Sequence, residues 1–148
     1  MAFTCVECGA IFTREGENCA SRFEELLALD HSRTEPWGSR HGLAFSAFAL
    51  QHPQRFLREV LERAWILLFK VYREGAEPKT VTNALKRLGK QRPKWAVPAL
   101  PDVAPDARYN VTIASLGSFE AESYPQQLDA WCRAALEAWS GKSPAGGE

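Results

Sequence analysis

Cys5, Cys8 and Cys19 are the residues of this chain whose types and spacing point to chemistry. The first two stand in Cys5-Val6-Glu7-Cys8-Gly9-Ala10, and ten residues separate Cys8 from Cys19, at the head of a helical pattern. Two thiolates two residues apart, followed by Gly, have the shape of a zinc knuckle, because a tight turn aims both sulfurs at one cation. One histidine added to the three sulfurs makes a closed tetrahedral Cys3His site. Cys5 and Cys8 alone would also suit a redox pair, but no βαβ pattern surrounds them and a third cysteine lies close by. Sulfur-rich tetrahedral spacing admits iron as well as zinc.

The histidine has three candidates: His31, His41 and His52. The elements that carry them decide among the three. Residues 1–18 read as a short module rich in turn formers, with the apolar pair Ile11 and Phe12. Asn18 can cap a first helix over about 18–30, where Phe23, Leu26, Leu27 and Asp30 recur at helical spacing. Pro36 and Gly38 mark a loop over 31–38. A second helix, about 39–51, is apolar nearly all round, which belongs in the middle of a bundle. Pro53 suits the first position of a third helix, with Phe56, Leu57, Val60, Leu61, Ala64, Trp65, Leu68 and Tyr72 on one stripe ending near Gly75. A fourth helix runs from Pro78 to Gly89. Pro93, Pro98, Pro101 and Pro105 make an extended strap with Trp95, Val97 and Leu100 held against the bundle. Residues 111–116 read equally as helix or strand. A last helix, about 125–139, turns Leu128, Trp131, Cys132, Ala135, Leu136 and Trp139 inward, so Cys132 is a core thiol. The expectation is an all-α bundle of about five helices with a zinc-knuckle-like cap, a single domain over 1–140 and a disordered tail over 141–148.

On one continuous helix His41 and His52 lie about 16 Å apart, at 1.5 Å per residue, whereas two ligands of one zinc lie within roughly 4 Å. Only one can serve. A short loop makes the first two helices an antiparallel hairpin. Cys19, at the start of the first, then neighbours His52, at the end of the second, while His41 lies beside Asp30. The expected ligands are Cys5, Cys8, Cys19 and His52. His41 is the alternative fourth ligand if the helices cross steeply, and His52 before Pro53 is then only a helix-boundary residue. His31, beside Asp30 and Ser32, reads as solvated.

The strings Cys5-Val-Glu-Cys8-Gly9, Cys19 with Phe23-Glu24-Glu25-Leu26-Leu27, His41-Gly-Leu43 and Gln51-His52-Pro53 resemble a bacterial family known only as a domain of unknown function. A Trp-rich final helix, Trp131 to Trp139, also matches. The resemblance spans nearly the whole chain, with its specific motifs within residues 5–53. It implies positions for the three early cysteines and for both His41 and His52, and it implies no activity. A further histidine associated with the third helix is replaced here by Ala64-Trp65-Ile66, which argues against a second metal there.

Of 148 residues, 45% are hydrophobic and the formal net charge is zero. That composition suits one globular domain with a proper core and removes any global pull toward nucleic acid or anionic lipid. No signal peptide or membrane span is legible, so the expected compartment is the cytoplasm, where clustered cysteines favour a metal over disulfides. The leading expectation is structural zinc in a protein that acts by binding a protein partner. An enzyme is the alternative, with His41 near Asp30, Glu24 and Glu25 as an acid–base group in a cleft. A third reading is weak nucleic-acid binding through Lys79, Lys86, Arg87, Lys90, Arg92 and Lys94 beside Trp95. A charge run of this kind is more often a solvated face.

Overall fold

The computed structural model describes residues 2–89, 91, 97–106 and 109–141. A two-stranded antiparallel hairpin, β1 (Phe3–Thr4) and β2 (Ile11–Phe12), opens the chain, with Phe3 opposite Phe12 and Thr4 opposite Ile11. Five α-helices follow among the described residues: α1 (Cys19–His31), α2 (His41–Gln51), α3 (Arg58–Glu74), α4 (Pro78–Leu88) and α5 (Tyr124–Trp139). The architecture is a helical bundle with a small amino-terminal cap.

Helix α2 is the axis, packed chiefly against α3 and α5. Its sequence, HGLAFSAFALQ, is buried at Leu43, Ala44, Ser46, Ala47, Phe48, Ala49, Leu50 and Gln51. Leu43 and Phe48 fill the spaces between helices, while Ala44, Ala47 and Ala49 admit close neighbours. The one long polar side chain on this buried surface, Gln51, is paired through both its amide nitrogen and its amide oxygen. Its Nε2 donates to the Val111 carbonyl at 2.9 Å, and its Oε1 accepts from Trp131 Nε1 at 2.9 Å. Trp139 Nε1 donates to the Leu50 carbonyl at 2.7 Å, so both indoles of α5 meet the end of α2. Cys132 is wholly buried, its Sγ 3.5 Å from the Leu43 carbonyl. Burial pushes that thiol up to about 12, because an apolar surround disfavours the thiolate.

Asn18 caps α1 as its residue type suggests. Its Oδ1 accepts from the Ser21 amide at 2.8 Å, and the Ser21 Oγ in turn accepts from the Asn18 amide. Pro53, by contrast, does not open the long third helix. It starts a 3₁₀ turn over Pro53–Arg55, after which Phe56 and Leu57 are extended. The helix begins only at Arg58, and Leu57 is 71% exposed instead of lying on the buried stripe. The reason is His52, whose φ of −133° and ψ of 57° break the helical path before Pro53. Proline also disfavours the α region in the residue that precedes it. The undecided segment is a 3₁₀ turn over Ile113–Leu116. Ile11, paired with Phe12 in the sequence reading, is 62% exposed while Phe12 is buried.

The proline strap is pinned by hydrogen bonds to its carbonyls. Trp65 Nε1 donates to Pro98 O at 2.7 Å, and Arg58 donates to Leu100 O and Pro101 O at 2.6 and 2.9 Å. Leu100 is buried and Val97 lies partly buried on the core. Pro93, Trp95, the cations Lys90, Arg92 and Lys94, and the tail over 142–148 lie outside the described residues. Among the described residues, no helix is long and apolar enough to cross a membrane.

Candidate metal centre

The amino-terminal hairpin turns back tightly on itself. The Cys5 amide donates to Ala10 O at 2.8 Å and the Gly9 amide to Cys5 O at 2.9 Å. Gly9 has φ of 86°, a left-handed conformation that glycine adopts without a Cβ clash. The loop thereby turns the sulfurs of Cys5 and Cys8 to the inside while Val6, between them, faces out at 90% exposure. Two contacts seat it on the bundle: Glu7 Oε2 with Arg55 Nε at 3.1 Å, and the Tyr109 amide donating to Cys8 O at 3.3 Å.

Cys19 is the first residue of α1, directly after the cap, so the helix start sets its direction. His52 is the residue at which α2 ends. Because α1 and α2 run antiparallel, these two positions meet at one end of the hairpin, and the cap folds over them. Cys5, Cys8, Cys19 and His52 are all buried, and one ligand atom from each lies within 4.8 Å of every other. Cys8 Sγ and Cys19 Sγ are 3.5 Å apart. Tetrahedral bonds of about 2.3 Å to sulfur and 2.0 Å to nitrogen imply donor–donor distances of roughly 3.5–3.8 Å. The Cys8–Cys19 separation lies at the short end of that range, and the other pairs close to within 4.8 Å.

The imidazole is aimed. His52 Nδ1–H donates to the Phe48 carbonyl one helical turn earlier, at 2.7 Å, and the Phe48 ring stacks on it at 4.2 Å between centroids. That bond leaves the lone pair on Nε2, the tautomer a metal-bound histidine uses. Nε2 is buried and has no hydrogen-bond partner among the described residues. Leaving such an acceptor unmet costs about 1–3 kcal/mol, and a cation shared with three sulfurs would meet it. The electrostatics agree. The Cys8 thiol is held well below its ordinary range, first by the hydrogen bond from Cys19 and then, against burial, by His52 and the Ala10 backbone. Cys19 is pushed up, first by that same bond with Cys8 and then by burial. The two sulfurs thus share one hydrogen bond, an arrangement that favours a thiolate, the form that ligates metal.

The other two histidines lie elsewhere. His41, the alternative ligand, opens α2 at the opposite end of the hairpin, where its Nδ1 meets Asp30 Oδ2 at 2.8 Å. His31 is exposed at the end of α1. The carboxylates grouped with His41 in the sequence reading divide. Asp30 is its partner, whereas Glu25 is engaged by Arg22 at 2.9 Å and Glu24 is exposed. The Glu7–Arg55 pair, the bond from Tyr109 and the part played by Phe48 were not singled out in the sequence. Only Phe48 left a signal, its position four residues before His52.

The profile of a family of unknown function, DUF5946, matches residues 3–140. The chain belongs to this family. The match takes in all four residues of the cluster and all five helices. No curated protein and no solved structure matches the chain.

Proposed function

We propose that this DUF5946 protein binds one zinc ion through Cys5, Cys8, Cys19 and His52, and that the ion is structural. The single observation that carries the reading is the buried, unpartnered Nε2 of His52, its tautomer set by Phe48, converging with three buried sulfurs. Four protein ligands leave a tetrahedral ion no open position for water or substrate, so such an ion supports the fold and performs no chemistry. It would join the cap to the corner between α1 and α2, beside the Glu7–Arg55 ion pair and the Tyr109–Cys8 hydrogen bond that also seat the cap. Zinc is the ion of choice because closed Cys3His sets are a recurrent structural zinc arrangement.

With its ion enclosed, the protein acts by binding, and a protein is the partner proposed. The cap supports this reading by presenting Val6, Phe3 and Ile11 at 90%, 49% and 62% exposure. Free thiols at all four cysteines fit a reducing compartment such as the cytoplasm. Elemental analysis of the purified chain tests the metal assignment. One equivalent of zinc is expected in the parent and in His41→Ala, and less than a tenth of that in Cys19→Ser and His52→Ala. Zinc lost with His41 but retained without His52 would overturn the ligand assignment.

A further inference from the structure

The far end of the α1–α2 hairpin holds a second group of ligating side chains, separate from the Cys3His cluster. The Asp30 side chain has no solvent exposure, and its Oδ2 lies 2.8 Å from His41 Nδ1. Its other oxygen, Oδ1, is buried without a hydrogen-bond partner among the described residues. A carboxylate removed from water needs compensating charge and hydrogen bonds. The nearby cation Arg40 does not supply them, since its guanidinium is engaged with Glu35 at 3.5 Å and with the Pro36 carbonyl at 2.9 Å. His41 is therefore the group that pairs with this buried charge, while the buried Tyr124 hydroxyl lies within its field without bonding to it among the described residues.

Asp30 accepts the Nδ1–H of His41, which leaves the lone pair on Nε2, across the ring. His41 is 42% exposed, so the ring reaches from the buried carboxylate to the surface. A carboxylate behind an imidazole is the outer-shell device that fixes a metal-ligating histidine's tautomer and raises its basicity. A second imidazole stands beside it. His31 has its ring centroid 5.9 Å from that of His41, with the ring planes inclined at 50°. Two imidazoles on one ion, with bonds of about 2.1 Å, hold their centroids roughly 4.5 to 6.4 Å apart as the N–metal–N angle opens from about 90° to 180°. The observed separation lies inside that interval.

We propose that His31 and His41 form a second, surface site for a divalent transition-metal ion, with Asp30 as its positioning residue. Imidazole donors select ions of the nickel, copper and zinc group over magnesium or calcium. Two protein ligands leave the remaining positions to water or an incoming ligand, so this site is open where the Cys3His cluster is closed. A bound dication would also compensate the charge of Asp30 through the shared imidazole. The proposal does not depend on which ion occupies the cysteine cluster.

Isothermal titration of the full chain, already holding zinc, with Ni2+ tests it. The parent protein should take up one equivalent. His41→Ala should abolish that uptake, and His31→Ala should weaken it by at least about tenfold, since one of two imidazole donors is gone. Asp30→Asn keeps both imidazoles, yet should weaken binding by about 10–100-fold, the usual effect of losing an outer-shell partner. That result separates a built site from two surface histidines that happen to be close. Asp30 is buried, so its variant enters the comparison only if zinc content and far-UV circular dichroism match the parent. Should it fail that check, long-range 1H–15N spectra of the parent decide, because a second equivalent of Zn2+ should shift His41 Nε2 and leave Nδ1 protonated. No Ni2+ uptake by the parent, or affinity unchanged in His41→Ala or His31→Ala, would overturn the proposal. So would unchanged affinity in a folded Asp30→Asn, or spectra in which His41 Nε2 does not respond.

Discussion

Replacing His52 by Ala separates the metal-dependent part of this fold from ordinary packing. In the protein without metal, the substitution removes a buried ring stacked on Phe48 at 4.2 Å and its hydrogen bond to the Phe48 carbonyl. Large-to-small changes of that kind cost about 2–5 kcal/mol. The same change also abolishes the unmet Nε2, relieving about 1–3 kcal/mol. The net loss without metal is therefore small, about 1–2 kcal/mol, when the two effects are taken together. With zinc the comparison differs. Free zinc a thousandfold above its Kd stabilises the folded parent by about 4 kcal/mol. A domain of this size shifts its Tm by about 2–4 °C per kcal/mol, so zinc should raise the parent Tm by about 8–16 °C. In His52→Ala most of that increment should vanish at the same free zinc. Thermal melts of parent and variant, each with buffered zinc and with chelator, measure the four corners of the cycle. If zinc raises both Tm values equally, His52 is not a ligand and the argument from its unpartnered nitrogen fails.

Other outcomes follow from the same geometry. Cobalt substituted for zinc should give the intense near-ultraviolet absorbance of three thiolates in the parent, reduced in Cys19→Ser; equal spectra would remove Cys19 from the site. Acidification should release the ion, because protons compete for three sulfurs and Nε2, and a chromophoric chelator should record release that steepens below neutrality. The Cys132 thiol, raised by burial from 9.0 to about 12, should resist iodoacetamide at pH 8 even after chelator exposes Cys5, Cys8 and Cys19. Its neutral form favours folding most below about pH 9, and that contribution should fade as pH rises toward 12. Labelling of Cys132 in the native protein would contradict its burial. Gln51→Leu should destabilise the fold by about 2–4 kcal/mol, since it strands the Trp131 N–H and the Val111 carbonyl. A urea midpoint equal to the parent's would show those bonds to be unimportant.

What could be read from the chain alone were the features written in local pattern. Asn18 before a helical run announces a cap. The all-round apolar character of 43–50 announces a buried axis, and Cys-x-x-Cys-Gly announces a turn with two sulfurs inside. Even the placing of Cys19 near His52, and of His41 beside Asp30, follows from a short loop and the rise of a helix. The 3₁₀ turn after His52 has a local cause that the sequence reading passed over, the exclusion of the α region from the residue before Pro53, which outweighs the preference for starting a helix at proline. Tertiary structure decided what depends on neighbours distant in sequence. It brought Tyr109 and Arg55 onto the knuckle, and Trp65 and Arg58 onto the carbonyls of the strap. It also buried Asp30 behind His41. Periodicity can place a residue on a face, but which partner waits there is a property of the packed whole, because long-range hydrogen bonds and desolvation leave no trace in local spacing.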